Sequence, residues 1–161
     1  MSQRPRPHAA PPATATDRAI QQGLQLHEQG RFTEALACFD AILQRAPRNA
    51  PAHWHAGRAL LMQQLFRRAL PYLEEAVALL PGKAAPLYDL AFALGGAGLT
   101  EESAKRYQEV VALQPDWPHA WSRLGRAQIG LKRYADAETN LRHALTLTGF
   151  REETLCNLGL L

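Results

Sequence analysis

The chain contains few of the residues and segments that mark several large classes of protein. Among its 161 residues there are only two cysteines, Cys38 and Cys156, and they lie far apart in the sequence. We therefore expect no disulfide framework and predict a reducing, cytoplasmic location. No apolar stretch reaches the length needed to span a bilayer, so no membrane association is expected.

The sequence also lacks a concentrated charge of either sign. There are 18 Lys and Arg residues against 15 Asp and Glu residues, which gives a net charge of +3. No run of five like charges occurs, although such runs are typical of basic arms that bind nucleic acids. The charge distribution therefore predicts no nucleic-acid partner and no binding to a membrane surface.

Motifs that carry chemistry are missing as well. His53 and His55 form a His-x-His pair, but no further ligand follows at metal-binding spacing. Gly125 and Gly130 have the spacing of phosphate-loop glycines, yet the required Lys and Ser or Thr do not follow them. No Gly-x-Ser-x-Gly motif is present. We therefore expect no metal, no cofactor and no catalytic residue, and predict that the chain is not an enzyme.

A period of 34 residues runs through most of the sequence without an insertion. Small residues recur at one position of the period, bulky residues at a second position and turn-forming residues at a third. The small residues are Gly23, Gly57, Ala91 and Gly125. The bulky residues are Phe39, Leu73, Tyr107 and Leu141. The turn-forming residues are Pro47, Pro81, Pro115 and Gly149. A fixed period of this length indicates stacked helical repeats.

Each period is predicted to contain two short amphipathic helices joined by a tight turn. In the fourth period, Trp121 and Leu124 lie on one stripe of the first helix, and Ala137 and Leu141 lie on one stripe of the second. A pair of this kind has an apolar face that it cannot bury alone. It therefore needs copies of itself on both sides.

The pattern resembles the tetratricopeptide repeat. That family has a Trp, then Leu-Gly, an aromatic residue at the turn, and alternating small and bulky residues in the second helix. The matching residues in the fourth period are Trp121, Leu124, Gly125, Tyr134, Ala137, Leu141 and Ala144. The resemblance covers residues 16–161. It implies an all-α fold, a right-handed α-solenoid of about four and a half stacked helix-turn-helix repeats.

The predicted domain organisation is a short tail followed by one repeat domain. Residues 1–15 contain four prolines and no large aliphatic side chain after Met1, so we expect a disordered, proline-rich tail. Residues 16–161 are the predicted repeat domain. Its units are residues 16–49, 50–83, 84–117 and 118–151, with a partial fifth unit at residues 152–161.

Local signals predict where individual helices begin and where they are weak. The predicted helix N-caps are Asp17, Thr33 and Thr100. Pro71 lies near the start of a second helix, so we expect that helix to begin late or to bend. Gly95, Gly96 and Gly98 are expected to fray the end of the first helix in the third unit.

The resemblance implies that the first helices line a concave groove, which binds an extended peptide or a helix of another protein. One column of these helices is polar at every step although its neighbours are apolar, which predicts a solvent-facing ridge. Its members are Gln21, His55, Asp89, Arg123 and Asn157. Adjacent columns supply aromatic and further arginine side chains. The predicted groove residues are Trp54, His55, Arg58, Tyr88, Asp89, Phe92, Arg123, Arg126 and Asn157.

Neighbouring aromatic and arginine side chains are typical of binding hot spots, and arginine pairs with carboxylates. We therefore predict a scaffold that binds a partner segment with acidic and apolar residues. For the aromatic residues, packing between repeats is an equally good interpretation, and for Arg123 and Arg126 so is simple exposure to solvent. Asp89 is positioned to pair with one of these arginines, which would reduce the positive charge.

Residues 152–161 predict an unfinished fifth repeat. Leu155, Leu158 and Gly159 occupy repeat positions, but the apolar ending lacks the polar face of a terminal cap. Two alternatives to a self-contained scaffold follow. The chain is the N-terminal recruiting portion of a larger enzyme, for which the resemblance suggests a glycosyltransferase, sulfotransferase or methyltransferase, and continues past Leu161. In the other alternative, the last helix forms a homo-oligomer.

Overall fold

The structure is a computed structural model that describes residues 14–147 and 152–159. This part of the chain contains nine α-helices and no strand. They are α1 Ala15–Glu28, α2 Phe32–Arg45, α3 Ala50–Met62, α4 Phe66–Leu79, α5 Ala84–Gly96, α6 Thr100–Leu113, α7 Pro118–Gly130, α8 Tyr134–Thr146 and α9 Glu152–Leu158. Each helix packs against the next one along the chain. The predicted all-α solenoid of helix-turn-helix repeats is confirmed.

The helices recur with the predicted period of 34 residues. The second helices of the repeats, α2, α4, α6 and α8, begin at Phe32, Phe66, Thr100 and Tyr134. The first helices α3, α5, α7 and α9 begin at Ala50, Ala84, Pro118 and Glu152. The sequence period is therefore a structural period that places equivalent residues at equivalent positions in successive repeats.

The same tight turn joins the two helices of each of the four repeats. One residue of the turn has a positive φ angle, and the next residue donates its N–H to the carbonyl five positions earlier, as in a Schellman motif. The positive-φ residues are Gly30 (74°), Gln64 (58°), Gly98 (86°) and Lys132 (60°). The N–H donors are Arg31, Leu65, Leu99 and Arg133. Because each donor is also the residue before the second helix, the turn determines where that helix begins.

The three predicted N-caps are wrong. Thr14 caps α1, since its hydroxyl oxygen accepts the Asp17 N–H at 3.1 Å and its own N–H donates to the Asp17 carboxylate at 2.9 Å. This reciprocal pair is a capping box, in which Asp17 is the third helical residue and not the cap. Thr33 and Thr100 lie inside α2 and α6. Those helices begin directly after the turn described above.

Several predictions concern residues outside the described ranges. They include residues 1–13 of the predicted tail, Gly149, and the last two residues of the partial fifth unit. The final two residues of the predicted tail are described, and they form the cap and the first residue of α1.

Neither Pro71 nor the glycines of the third repeat interrupt a helix as expected. α4 begins at Phe66, in register with the other second helices, and contains Pro71 in its interior. α5 is helical through Gly96, where an added Cβ would lie 2.4 Å from the Phe66 ring. Gly96 therefore permits close packing, and Gly98 supplies the positive φ of the turn.

The apolar core lies between the helices in two clusters that meet at α5. The first cluster contains residues of the first two repeats together with Leu90, Ala93 and Leu94 of α5. The second contains residues of α6 and α7 together with Leu87 and Ala91 of α5. α5 therefore connects the two halves of the stack.

Candidate binding cleft

The first helices of the repeats form one continuous surface, which we call the first-helix face. α1 packs against α3, α3 against α5, and α7 against α9, although these helices are not neighbours in sequence. The second helices of successive repeats do not pack against each other to the same extent. In a curved stack, the helices that approach most closely lie on the inner side. The first-helix face is therefore the inner side.

The packing of the first helices is looser between α5 and α7 than at the three contacts just described. A cleft of about 540 Å³ lies at this position. Its lining residues are Phe66, Phe92, Gly95, Gly96, Thr100, Ser103, Tyr107, Arg123, Arg126, Ala127 and Gly130. The volume falls within the range of about 300–1,000 Å³ that is usual for ligand pockets.

Aromatic rings and small residues form the walls of the cleft. The rings of Phe66 and Phe92 pack edge to face, with centroids 5.8 Å apart and an angle of 83° between their planes. Gly95 and Gly96 add no side chain to this wall, whereas the second repeat has Leu61 and Met62 at the equivalent positions. The glycines therefore leave space that large side chains occupy in the second repeat.

Two arginines of α7 lie at the cleft. The guanidinium carbon of Arg123 is 5.0 Å from the centre of the Phe92 ring, which is a cation–π arrangement. Arg126 is exposed and lies one turn further along the same helix. No carboxylate is among the described residues that line the cleft. The cleft therefore combines an apolar wall with a cationic edge.

A hydrogen-bonded network occupies the first-helix face between α3 and α5. The indole N–H of Trp54 donates to the Asp89 carboxylate at 2.6 Å, and Nε of Arg58 lies 3.8 Å from the same carboxylate oxygen. The Trp54 ring also stacks on His55, with centroids 5.1 Å apart. The pairing of Asp89 with an arginine was expected, but the arginine in this ion pair is Arg58.

Burial changes the protonation of two groups in this network. Desolvation raises the pKa of Asp89, although the Trp54 hydrogen bond and the Arg58 charge act in the opposite direction. Desolvation, with further contributions from the charges of Arg58 and His27, lowers the pKa of His55 to about 4. His55 is therefore neutral at physiological pH, and the positive charge of this region comes from Arg58.

Tyr88 packs between repeats. Its ring stacks on Trp117, with centroids 4.6 Å apart and an angle of 22° between the planes, and meets Tyr107 edge to face at 5.5 Å. All three residues belong to or contact the second core cluster. The structure thus places Tyr88 in the packing between α5, α6 and the start of α7.

Asn157 does not lie on a solvent-facing ridge, so that part of the prediction is wrong. Its side chain is only 5% exposed, and its amide donates to the hydroxyl of Ser122, which is also buried, at 3.2 Å. Ser122 and Asn157 occupy the same repeat columns as Trp54 and Asp89. The same pair of columns therefore joins α3 to α5 and α7 to α9.

The predicted groove residues divide into three groups in the structure. Phe92, Arg123 and Arg126 line the cleft. Trp54, His55, Arg58 and Asp89 form the network between α3 and α5, whereas Tyr88 and Asn157 pack within the stack. For Trp54 and Tyr88, the alternative of packing between repeats describes the observed contacts.

The sequence reasoning missed several residues of the cleft. Phe66 belongs to the column of turn aromatics, and its reach into the neighbouring repeat had no signal in the sequence. Gly95 and Gly96 were interpreted as a weak helix end. The available signal was their contrast with the large residues of the second repeat, which indicated an open space.

Two other searches concern metal and membrane sites. Within residues 14–147 and 152–159, no group of three or more His, Cys, Asp or Glu side chains is arranged to hold a metal ion. His53 of the His-x-His pair lies with Nε2 2.8 Å from the carbonyl oxygen of Pro47. In the same ranges, no helix combines the length and the apolar character required to cross a bilayer.

The repeated helix pairs and the continuous inner face define the chain as an α-helical repeat protein. Three tetratricopeptide repeat models match its sequence, over residues 20–84, 60–122 and 118–149. The chain belongs to the tetratricopeptide repeat family, and proteins of this fold are in general scaffolds for protein interaction.

One relative and several solved structures are similar to the chain. The tetratricopeptide repeat-containing protein trd-1 of Caenorhabditis elegans is 32% identical over 101 residues, which are 62% of this chain and 13% of that protein. The chain thus matches only a small part of this relative.

The similar solved structures are of MamA. "MamA 41-end from Desulfovibrio magneticus RS-1" is 26% identical with a TM-score of 0.79, over 82% of this chain and 75% of that chain. A double mutant, "MamA RS-1 ArsTM", is also 26% identical, with a TM-score of 0.80 over 83% and 75%. Another MamA crystal structure is 16% identical, with a TM-score of 0.75 over 92% of both chains, which shows the shared fold.

Proposed function

We propose that the chain is a scaffold that binds a segment of a partner protein on its first-helix face, with the cleft between α5 and α7 as the main contact. The observation that carries this proposal is the cleft itself, in which Phe66 and Phe92 provide an apolar wall and Arg123 and Arg126 a cationic edge. Interfaces derive most of their affinity from a few such aromatic and arginine residues.

The rest of the predicted groove has a supporting role in this proposal. The Trp54–Asp89–Arg58 network fixes α3 against α5 and uses the Asp89 carboxylate internally. Arg58 retains 43% side-chain exposure and remains accessible to a partner that extends beyond the cleft. A bound segment would therefore run from the cleft towards Arg58, along the first-helix face.

The experiment selects peptides from a displayed random library against the folded chain and measures their affinity by fluorescence anisotropy. The proposal predicts that Arg126→Glu weakens binding strongly, without a change in helicity by circular dichroism. Arg68→Glu, on the exposed surface of α4, makes the same charge change away from the first-helix face and is the control. Failure to select any peptide, or equal effects of both variants, would contradict the proposal.

A second candidate function is self-association through α9. Leu155 of this helix is 54% exposed, and Cys156 beside it is exposed as well. Light scattering of the chain and of Leu155→Glu tests this candidate. A dimer that the substitution dissociates would support it, and a monomer at all working concentrations would exclude it.

The recruiting role within a larger enzyme is the remaining alternative. The worm relative contains the matched 101 residues as 13% of its length, so a sequence of this kind can be part of a much longer protein. The cleft would serve the same purpose in that setting, since it would hold the protein on which the larger chain acts.

A further inference from the structure

We infer that the cleft between α5 and α7 recognises a short motif in which one large apolar or aromatic side chain stands next to a carboxylate residue. This inference rests on the proposed function and specifies the chemistry of the partner segment. It follows from three features of the cleft, which are its size, its walls and the charge at its edge.

The size of the cleft favours a side chain over a whole helix. A volume of about 540 Å³ is bounded by three helices and by Phe66 of α4. An α-helix with its side chains is about 10–12 Å in diameter and needs a long open groove. A cleft at a single junction between repeats accommodates one inserted residue and the backbone beside it. The partner segment therefore inserts an anchor residue at this point.

The walls of the cleft determine the anchor's chemistry. Phe66 and Phe92 present ring surfaces, and Ala127 and the three glycines add no polar side chain. The hydroxyl of Ser103 donates to the Ala91 carbonyl at 2.7 Å, so this donor is already used. A large apolar side chain gains the most from such walls, and an aromatic one also gains from edge-to-face packing with the rings.

The edge of the cleft determines the residue next to the anchor. Arg123 and Arg126 are three positions apart on α7, a spacing that places side chains on the same face of a helix. None of the ion pairs within the described residues involves Arg126. Asp89, the acidic residue closest in the repeat pattern, is bound by Trp54 and Arg58. A carboxylate adjacent to the anchor would thus meet a guanidinium as soon as the anchor is inserted.

The same geometry disfavours two other kinds of segment. A basic residue next to the anchor would be repelled by two arginines, and a small anchor would leave part of the cleft wall without contacts. The combination of anchor and carboxylate is therefore a source of specificity, since each half alone engages only one side of the cleft.

The test uses the peptides selected from the random library against the whole chain. The inference predicts enrichment of Trp, Phe, Tyr or Leu within two positions of Asp or Glu, relative to the unselected library. In a synthetic peptide of this kind, replacing the anchor by Ala or the acidic residue by Lys should weaken binding about tenfold or more, as expected for a charged hydrogen bond or a buried anchor. Arg126→Glu should restore the binding of the Lys peptide.

A cleft-filling variant gives a second readout. Gly130→Met introduces the residue type that the second repeat has at the equivalent position, Met62, and its Cβ would lie 3.3 Å from the Thr100 methyl group. We expect it to abolish binding of the anchor peptide while the chain keeps its helicity. Lys105→Met, on the exposed surface of α6, is the control.

The outcomes separate the inference from the proposed function. Peptides that bind the first-helix face but show no pairing of an anchor with an acidic residue, or are insensitive to Gly130→Met, would overturn the inference and leave the scaffold function intact. If the library yields no binding peptide, both fail. Enrichment of the motif together with the charge-swap rescue would support both.

Discussion

At the scale of single residues, the close approach of two helices within a repeat depends on a missing side chain. In three of the four repeats, a glycine of the first helix faces a large buried residue of the second. An added Cβ would lie 2.6 Å from Phe39 at Gly23, from Leu73 at Gly57 and from Leu141 at Gly125. The three large residues are completely buried. The glycine column therefore sets the distance between the paired helices.

We predict that Gly57→Ala destabilises the chain by about 1–3 kcal/mol, the usual effect of overpacking a core. The gain in helix propensity, about 1 kcal/mol, offsets only part of this loss. Urea unfolding of the variant measures the change. The double variant with Leu73→Ala should recover part of the loss that the added methyl group causes, because the space opposite the new Cβ is then open. An identical effect of Gly57→Ala in both backgrounds would contradict this packing role.

A second residue-scale property is the neutral His55 ring. Its pKa is about 4 in the folded chain, below the ordinary value of 6.5, because the ring is partly desolvated and lies near Arg58 and His27. Between these values the unfolded chain binds more protons than the folded chain. Stability is therefore complete above about pH 6.5 and decreases as the pH falls towards 4. The raised pKa of Asp89 acts in the opposite sense at low pH.

We predict that His55→Phe reduces the loss of stability between pH 7 and pH 5 by about 1 kcal/mol, after allowance for the solvent exposure of a half-buried ring. Phenylalanine retains ring packing on Trp54 and Phe39 but does not take up a proton. Urea unfolding at the two pH values provides the measurement. His143→Phe, which replaces an exposed ring on α8, is the control. Parallel pH profiles of the wild type and His55→Phe would show that His55 does not cause the dependence.

At the scale of helices, two repeat columns connect successive first helices. Trp54 of α3 donates to Asp89 of α5, and Asn157 of α9 donates to Ser122 of α7. Both pairs are 35 residues apart, one more than the repeat period. The first-helix face thus has lateral hydrogen bonds in addition to the apolar core.

We predict that Trp54→Phe destabilises the chain by about 1–2 kcal/mol, because it removes an N–H donor from a carboxylate that is largely buried. Trp121→Phe is the matched control. Its indole N–H donates to the Pro115 carbonyl at 2.7 Å, but that bond is exposed and water can replace the donor. Thermal or urea unfolding compares the two variants. If they lose the same stability, the Trp54–Asp89 bond does not stabilise the contact between α3 and α5.

The positions of the helices could be predicted from the sequence, but their starts could not. The columns of small and bulky residues indicate the helix pairs because they repeat every 34 residues. Thr33 and Thr100 have the chemistry of N-caps, yet the Schellman turn already fixes the preceding residues, Arg31 and Leu99. Cap preference is a local signal, and the hydrogen bonds of the turn override it here.

The candidate site was predicted only in part for a related reason. The period places Trp54, Asp89 and Arg123 on first helices, but it does not tell which side chains bond to one another and which remain available. Asp89 pairs with Trp54 and Arg58 across a repeat boundary, and the cleft depends on a local loosening between α5 and α7. Both depend on three-dimensional packing at one junction, which a pattern averaged over repeats cannot contain.

At the scale of the whole molecule, α5 has a double role. It contributes Leu90, Ala93 and Leu94 to the first core cluster and Leu87 and Ala91 to the second. The cleft lies on the side of α5 that faces α7, next to this connection. A partner segment bound there would contact α7 and the α5 end of the first half at once, and would therefore strengthen the stack where its first helices are least closely packed.

The most direct measurement of the central claim is a crystal structure of the chain with one of the selected peptides. We predict that the peptide lies on the first-helix face, with its large apolar side chain between Phe92 and Ala127 and its carboxylate at Arg126. A peptide bound on the second helices, or on the first-helix face with the cleft between α5 and α7 unoccupied, would contradict the proposed site.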